Sequence, residues 1–230
     1  GGGDALIKEI REMRQATTTT KQALRSFGRY VPRKLVGDLM RSGREAKLGA
    51  ERRELTILFT DIAGFTPVVE RTDPPLVLRA LEGYLDHMNA ELGLWEGTVA
   101  QYLGDAIMAF WNAPLPQDDH AERACRAALR MRDHSRRLVE QAEESGVPAL
   151  PTRFGIGTGE VMVGNIGATE RFNYTCLGDP VNTTARLEGM NKVYGTEILV
   201  HERTAELVGD AVVFRPLDWV RMKGKVHAVL

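Results

Sequence analysis

The chain has 230 residues, enough for one or two domains, and its 43% apolar and 27% charged content suits a globular protein whose core needs no staples. A net charge of −1 and a pI near 6.6 argue against nucleic acid or an anionic membrane as a bulk partner. No apolar run approaches the roughly 18 residues of a bilayer span, and no signal-peptide pattern is present. Cys125 sits in a helical pattern and Cys176 in a strand-like run, so a disulfide framework is not expected. That usage fits a reducing, cytoplasmic setting for this portion, with membrane attachment of a longer protein left open. The leading "GGG" and the stop inside an apparent strand lead us to expect a fragment of something longer.

The first segment, "DALIKEIREMRQATTTTKQALRSF", carries Leu6, Ile10 and Met13 at helical spacing with charges between them. It has too few apolar residues to fold alone. We expect its apolar face to meet another chain in a short parallel coiled coil, the alternative being a frayed amphipathic helix. The β-branched "TTTT" weakens helix propensity. Pro32 then suits the first turn of a helix carrying Leu35, Val36, Leu39 and Met40. A polar connector, "GREAKLGAERR", puts a domain boundary near Gly49, giving signalling helices over 1–49 and a globular domain over 50–230.

From Glu54 the pattern changes. "ELTILFTDI" reads as a buried strand. A helix follows, with Leu76, Leu78, Leu81, Leu85 and Met88 on its apolar side, Asp73 as N-cap and Pro74 just inside. "VAQYL" and "AIMAF" are strands joined by Gly-Asp, ordinary hairpin chemistry. A long helix from "DDHAERAC" ends at Gly146 and Pro148. "TRFGIGTGEVMVGNIG" is expected as strand–turn–strand with glycines at the bends, and "FNYTCLG" as another strand. The next helix should have Asp179 as N-cap, Pro180 at its first position and Gly195 as its stop. "TEILV", a short helix "HERTAELVG", and paired strands "AVVFRPLDWV" and "RMKGKVHAVL" close the chain. This order predicts an α+β, ferredoxin-like split βαβ fold with helices on one face of the sheet.

Two acidic residues invite a chemical reading. Asp61 ends a buried strand and precedes an Ala-Gly-Phe-Thr bend into a helix, where a carboxylate can hold a cation and backbone amides a phosphate. Asp105 sits in the hairpin turn. Each alone is more often a cap or turn residue. A split βαβ sheet, however, sets the first strand beside the hairpin and brings both to one end. Two unpaired carboxylates there would repel. Two Mg²⁺ or Mn²⁺ ions would relieve that repulsion while bridging a nucleoside triphosphate. No Lys or Arg adjacent in sequence offers either Asp a local salt bridge.

The stretches "RRELTILFTDIAGFT", "GTVAQYLGDAIMAFWNAP", "RFGIGTGEVMVGNIG" and "FNYTCLGDPVNTTARLE" resemble, in order and spacing, the class III nucleotidyl cyclase catalytic domain, from about Arg53 to Leu230. The resemblance implies conversion of ATP or GTP to the 3′,5′-cyclic monophosphate and pyrophosphate by head-to-tail homodimers with active sites at the interface. "SFGRYVPRKLVGDLMRSG" looks like the helical transducer that links such domains to an upstream sensor. By the same resemblance Asp61 and Asp105 match the two metal-binding aspartates, and Ile62 the residue whose backbone carbonyl also meets metal. Asn182 and Arg186 match the pair that stabilises the transition state. Their i, i+4 spacing puts them on one helix face, although that face would otherwise be read as merely solvated. In "MKGK", Lys223 matches the phosphate-binding lysine, with Lys225 as second choice. Phe65 and Thr66 shape the phosphate bend.

Base recognition departs from the family pattern. ATP-specific members commonly have Lys where Gln101 stands, with Asp or Thr where Thr175 stands, and guanylyl members tend to have Glu and Cys. The Thr hydroxyl can accept from adenine's exocyclic amine and the Gln amide can donate to ring N1. Gln can also turn its carbonyl to guanine. The expectation is an adenylate cyclase, the alternatives being a guanylate or dual-specificity enzyme, or a catalytically silent nucleotide-binding dimer. The histidines show no metal-like spacing, and Trp95, Trp111 and Trp219 read as core or interface residues.

Overall fold

The computed structural model describes residues 2–28, 37 and 45–220. The helix expected around Leu35 to Met40, the closing strand, and with it Lys223 and Lys225, lie outside the described residues. The chain divides into two compact units, Gly1–Ala46 and Lys47–Leu230.

In the first unit one helix, α1 (Gly2–Phe27), runs straight through the threonine tract. The Thr17 and Thr18 hydroxyls donate to the carbonyls of Met13 and Arg14, both at 2.8 Å, which offsets the low propensity of β-branched residues by satisfying their donors inside the helix.

The second unit begins with β1 (Gly49–Ile62), a short α2 (Phe65–Arg71) and α3 (Pro74–Leu94). The hairpin β2 (Thr98–Leu103) and β3 (Ala106–Trp111) follows, then α4 (His120–Ser145). β4 (Thr152–Ala168), β5 (Arg171–Leu177), α5 (Asp179–Tyr194), β6 (Ile198–Val200) and α6 (Glu202–Val208) complete it. The sheet order is β2-β3-β1-β4-β5, with β6 pairing beside β5 on the outer side of β4. β1 and β2 flank β3, antiparallel to both, which is the split βαβ arrangement of a ferredoxin-like α+β fold.

Alternation along β1 divides the core. Leu58 and Ile62 face α3 and α4, in a cluster with Trp111, Phe154 and Ile156, while Leu55 and Ile57 face the other way with Met108, Phe110, Val161 and Cys176. On the first face a buried chain of hydroxyls runs from His120 through Thr56 and Thr158 to Thr204, with links of 2.7, 2.7 and 2.9 Å, so the polar groups under α4 are paired.

Several expectations need correction. Helices lie on both faces, because α5 packs against β4 and β1 on the side away from α3 and α4. "TRFGIGTGEVMVGNIG" is one continuous strand rather than strand–turn–strand. Its glycines make room rather than bends. A Cβ on Gly155 would stand 2.5 Å from the Glu188 nitrogen and the Thr184 carbonyl, and one on Gly159 would stand 2.6 Å from Pro180. Three alternate glycines, Gly155, Gly157 and Gly159, therefore carry no side chains on one face, and α5 lies directly on the strand backbone.

The buried stripe of α3 is Val77, Ala80, Tyr84, Met88 and Leu92, while Leu78 is 57% exposed. Asp73 is the N-cap of α3, but its side chain makes no capping bond. α5 starts with Gly178 as N-cap and Asp179 already helical, and it ends at Gly195 in the left-handed region as expected. Residues 212–219 form no strand, and Trp219, 63% exposed, is not a core residue of this chain, which leaves the interface reading for it. Trp111 is fully buried, its indole N–H donating to the Trp95 carbonyl at 2.8 Å. Both cysteines are free and buried.

Candidate active site

β1 delivers Asp61 at its C-terminal end, on the α5 side, while the next residue, Ile62, turns into the opposite core. Gly104, at φ 67°, lets the β2–β3 hairpin close in two residues, and the register Thr60↔Ile107 sets its tip beside the end of β1. There the Ile62 N–H donates to the Asp105 carboxylate at 3.2 Å. Burial and the nearby Asp61 charge raise the Asp105 pKa, against the pull of its backbone hydrogen bonds and Arg153. The two aspartates thus share one end of the sheet.

Two further residues belong to this cluster. Arg153, opposite Asp61 in the β1–β4 register, donates to the Asp61 carboxylate at 2.6 Å. Its Nε lies 3.0 Å from a Glu188 oxygen of α5, an ion pair out of hydrogen-bonding alignment. Burial first, then Asp61, pushes Glu188 up to about 7, and Arg153 offsets only part of this. Three carboxylates and one guanidinium leave the cluster with excess negative charge, and a divalent cation suits such a set of hard oxygen donors. The donors fit Mg²⁺ or Mn²⁺ in type, with Asp61 and Asp105 as the residues that would hold it. Among the described residues no group of three or more His, Cys, Asp or Glu forms a metal cage, so phosphate oxygens and water would have to complete any coordination shell.

Glu188 also gives a pH dependence of definite sign. Its carboxyl titrates near 4.5 in the unfolded chain and at about 7 in the fold. The protonated form is therefore favoured by folding, and that contribution is complete below 4.5 and lost as pH rises through 7. Glu188→Gln removes the slope. In denaturant melts of the protein in EDTA, the variant should gain on the wild type by about 3 kcal/mol between pH 4 and pH 8. A difference that does not change with pH contradicts the assignment.

The remaining sequence-predicted residues lie elsewhere. Gly64, at φ 74°, caps α2, and the Ala63 N–H donates to the Pro151 carbonyl at 2.7 Å, fixing the bend after Asp61. Phe65 packs against the α3/α4 core and Thr66 is exposed. Asn182 and Arg186 are exposed on α5, on the side turned from the buried Thr184, Leu187 and Asn191. Among the described residues Arg186 makes no ion pair and Asn182 no side-chain hydrogen bond.

Gln101 is half-buried on β2 opposite Met108, just past a bulge, and Thr175 is half-buried on β5 opposite Gly164. Thr175 points away from the cluster that takes its neighbours Tyr174 and Cys176. β2 and β5 stand at opposite ends of the sheet order yet come into contact, and nearby the Phe110 ring of β3 stands 6.0 Å from that of Tyr174 on β5. Among the described residues neither Gln101 nor Thr175 uses its side chain in a hydrogen bond.

Arg153 and Glu188 were not picked out by sequence. The available signals were a charge placed in the apolar run "TRFGIG" and a carboxylate one turn beyond Thr184 on a helix face that packs on glycines.

Residues 50–229 match the model of the adenylate and guanylate cyclase catalytic domain. Adenylate cyclase 1 of Rhizobium meliloti (strain 1021) is 40% identical over 223 residues, 97% of this chain and 34% of that protein. An adenylate cyclase of Anabaena cylindrica is 33% identical over 238 residues, 98% of this chain and 46% of that one. Among solved structures, the guanylyl cyclase Cya2 superposes with a TM-score of 0.73 at 35% identity, over 79% of this chain and 91% of that one. The adenylyl cyclase CyaB from P. aeruginosa superposes with a TM-score of 0.73 at 32% identity, over 79% and 93%. The chain belongs to the family of adenylate and guanylate cyclase catalytic domains. It spans about a third to a half of the length of the curated relatives it matches.

Proposed function

We propose that this chain is the output portion of a larger signalling protein, a homodimeric adenylate cyclase that forms 3′,5′-cyclic AMP and pyrophosphate from ATP. One observation carries the reading. Asp61, Asp105, Arg153 and Glu188 gather at one end of the sheet, while Asn182 and Arg186 stand on the solvent side of α5 without partners among the described residues. A single chain thus presents two half-sites, which a head-to-tail dimer would join.

In the joined site, Asp61, Asp105 and the Ile62 carbonyl would hold divalent cations, two of Mg²⁺ or Mn²⁺, which when bound would supply Lewis-acid activation of the ribose 3′-hydroxyl and charge to neutralise the triphosphate. The 3′-oxygen bonds to the α-phosphorus, the bond from that phosphorus to the bridging oxygen breaks, and the hydroxyl proton leaves to solvent. Arg186 donates to the phosphate oxygens where charge builds, Asn182 orients the ribose, and Lys223 holds the phosphates. Phe65 and Thr66 shape the bend beside them. Gln101 and Thr175 read the base edge.

Product analysis with ATP and with GTP in Mn²⁺ tests this reading. Cyclic AMP should predominate. Cyclic GMP in excess would make the chain a guanylate cyclase, and no cyclic product from either would overturn the enzyme reading. Because a charged donor is roughly twice as strong as an amide and cannot accept from guanine N1–H, Gln101→Lys should raise the cyclic AMP to cyclic GMP ratio by on the order of tenfold. An unchanged ratio would remove Gln101 from base recognition.

A further inference from the structure

Tyr84 of α3 is 1% exposed, and the proposed reaction gives it no part. Its ring belongs to the core, where a phenylalanine would fill the same space. Its hydroxyl is the unexplained group, because burying one costs free energy unless it is bonded. That hydroxyl lies 3.3 Å from the Thr152 hydroxyl and is hydrogen-bonded to the Thr60 side chain as well. Both threonines are buried, Thr60 on β1 and Thr152 on β4. Satisfying Thr152 does not account for the contact. The Thr152 hydroxyl already donates to the Leu150 carbonyl at 3.1 Å, as does that of Ser135 on α4.

What the two threonines share is their neighbours. Thr60 immediately precedes Asp61, Thr152 immediately precedes Arg153, and Asp61 and Arg153 are register partners. Alternation along both strands sends the threonines to the α3 side of the sheet and the charged pair to the α5 side. The Tyr84 hydroxyl therefore clasps, from beneath, the two strand ends that carry Asp61 and Arg153 above. Thr60 extends the clasp to a third segment, since its oxygen accepts from the Ile107 N–H at 3.2 Å, two residues beyond Asp105. Burial, with the Asp105 and Asp61 charges adding to it, pushes the phenol up to about 12, so it keeps its proton.

We propose that Tyr84 is a positioning residue, whose hydroxyl acts through Thr60 and Thr152 to fix the spacing at which Asp61 and Asp105 would hold a divalent cation. This rests on the cation site of the proposed cyclase. The protein carries its own control for a merely structural role. The hydroxyl chain from His120 to Thr204 joins the same two strands on the same face, at Thr56 and Thr158, but farther along them from Asp61. Loss of a hydroxyl there should loosen the sheet without touching the carboxylate pair.

Tyr84→Phe removes the hydroxyl and keeps the ring. The full chain is titrated with Mn²⁺ in the absence of nucleotide, and the free ion is read by electron paramagnetic resonance. Tyr84→Phe should bind Mn²⁺ about fivefold more weakly than the wild type, the scale of one lost hydrogen bond, while its melt falls by only about 2–4 °C. Thr204→Val should lower the melt as much and leave Mn²⁺ binding unchanged. Thr60→Val should match Tyr84→Phe, Thr60→Ser should bind like the wild type, and Tyr84→Phe with Thr60→Val should be no weaker than either alone. The titration needs no turnover, so a chain that forms no cyclic product would fail the proposed function without altering this result. Unchanged binding in Tyr84→Phe, an equal loss in Thr204→Val, a Thr60→Ser protein as weak as Thr60→Val, or Mn²⁺ binding that survives Asp105→Asn would each overturn the proposal.

Discussion

Asp61→Ala and Asn182→Ala should each reduce cyclic nucleotide formation by about a thousandfold or more while leaving the thermal melt close to that of the wild type. The two losses have different causes. Asp61 supplies the carboxylate at the end of β1, beside that of Asp105 in the hairpin turn, and its removal leaves the Arg153 guanidinium at the proposed cation site with its 2.6 Å partner gone. A positive group there repels a divalent cation as well as failing to bind it. Asn182 is exposed and makes no side-chain hydrogen bond among the described residues, so its loss should cost little stability. A severe catalytic defect from so exposed a residue would mean that its partner arrives from outside the chain. The measurement is product formation under saturating ATP and Mn²⁺, paired with a melt of the same sample. Near-normal turnover in either variant would remove that residue from the site.

Gly155→Val should have the second large effect, on the fold. A Cβ at this position already stands 2.5 Å from two backbone atoms of α5, and backbone cannot swing aside as a side-chain tip can. Either α5 lifts from β4 or the sheet bends, and overpacking of this kind costs about 3 kcal/mol or more. Because α5 carries Asn182, Arg186 and Glu188, activity should fall together with stability. Gly83→Ala is the matched control. Gly83 lies mid-helix in α3 with open space around its Cβ position, so the substitution should be neutral or slightly stabilising. A Gly155→Val protein that melts like the wild type would show that α5 does not rest on β4 as described.

The parts legible in sequence were those written in local chemistry. The Gly-Asp hairpin, the left-handed stops at Gly146 and Gly195, and the split βαβ order all follow from turn residues and hydrophobic period. What stayed hidden depended on which strand lies beside which. The glycines of β4 read as bends, because sequence cannot show a helix pressed against them. Arg153 escaped notice because its partner Asp61 is 92 residues away and meets it only through strand register. The apolar stripe of α3 was displaced for a related reason. Tyr84 is a better core residue than Leu78 only once the sheet has fixed which side of the helix is inside.

Arg153 and Glu188 also change the picture of the acidic pair. Asp61 is not a bare carboxylate waiting for a cation, as adjacent sequence implied. It is held by a guanidinium that a second acid braces from α5. This ties the end of β1 that carries Asp61 to the helix bearing Asn182 and Arg186, so in the proposed shared site one element would serve both halves.

The shared site itself is tested most directly by mixing the two inactive chains. Coexpressed Asp61→Ala and Asn182→Ala proteins should recover about a quarter of wild-type turnover, since random pairing makes half of the dimers mixed and each mixed dimer holds one intact site. A mixture as inactive as its components, with mixed dimers shown to be present, would contradict a site built from two copies of this chain.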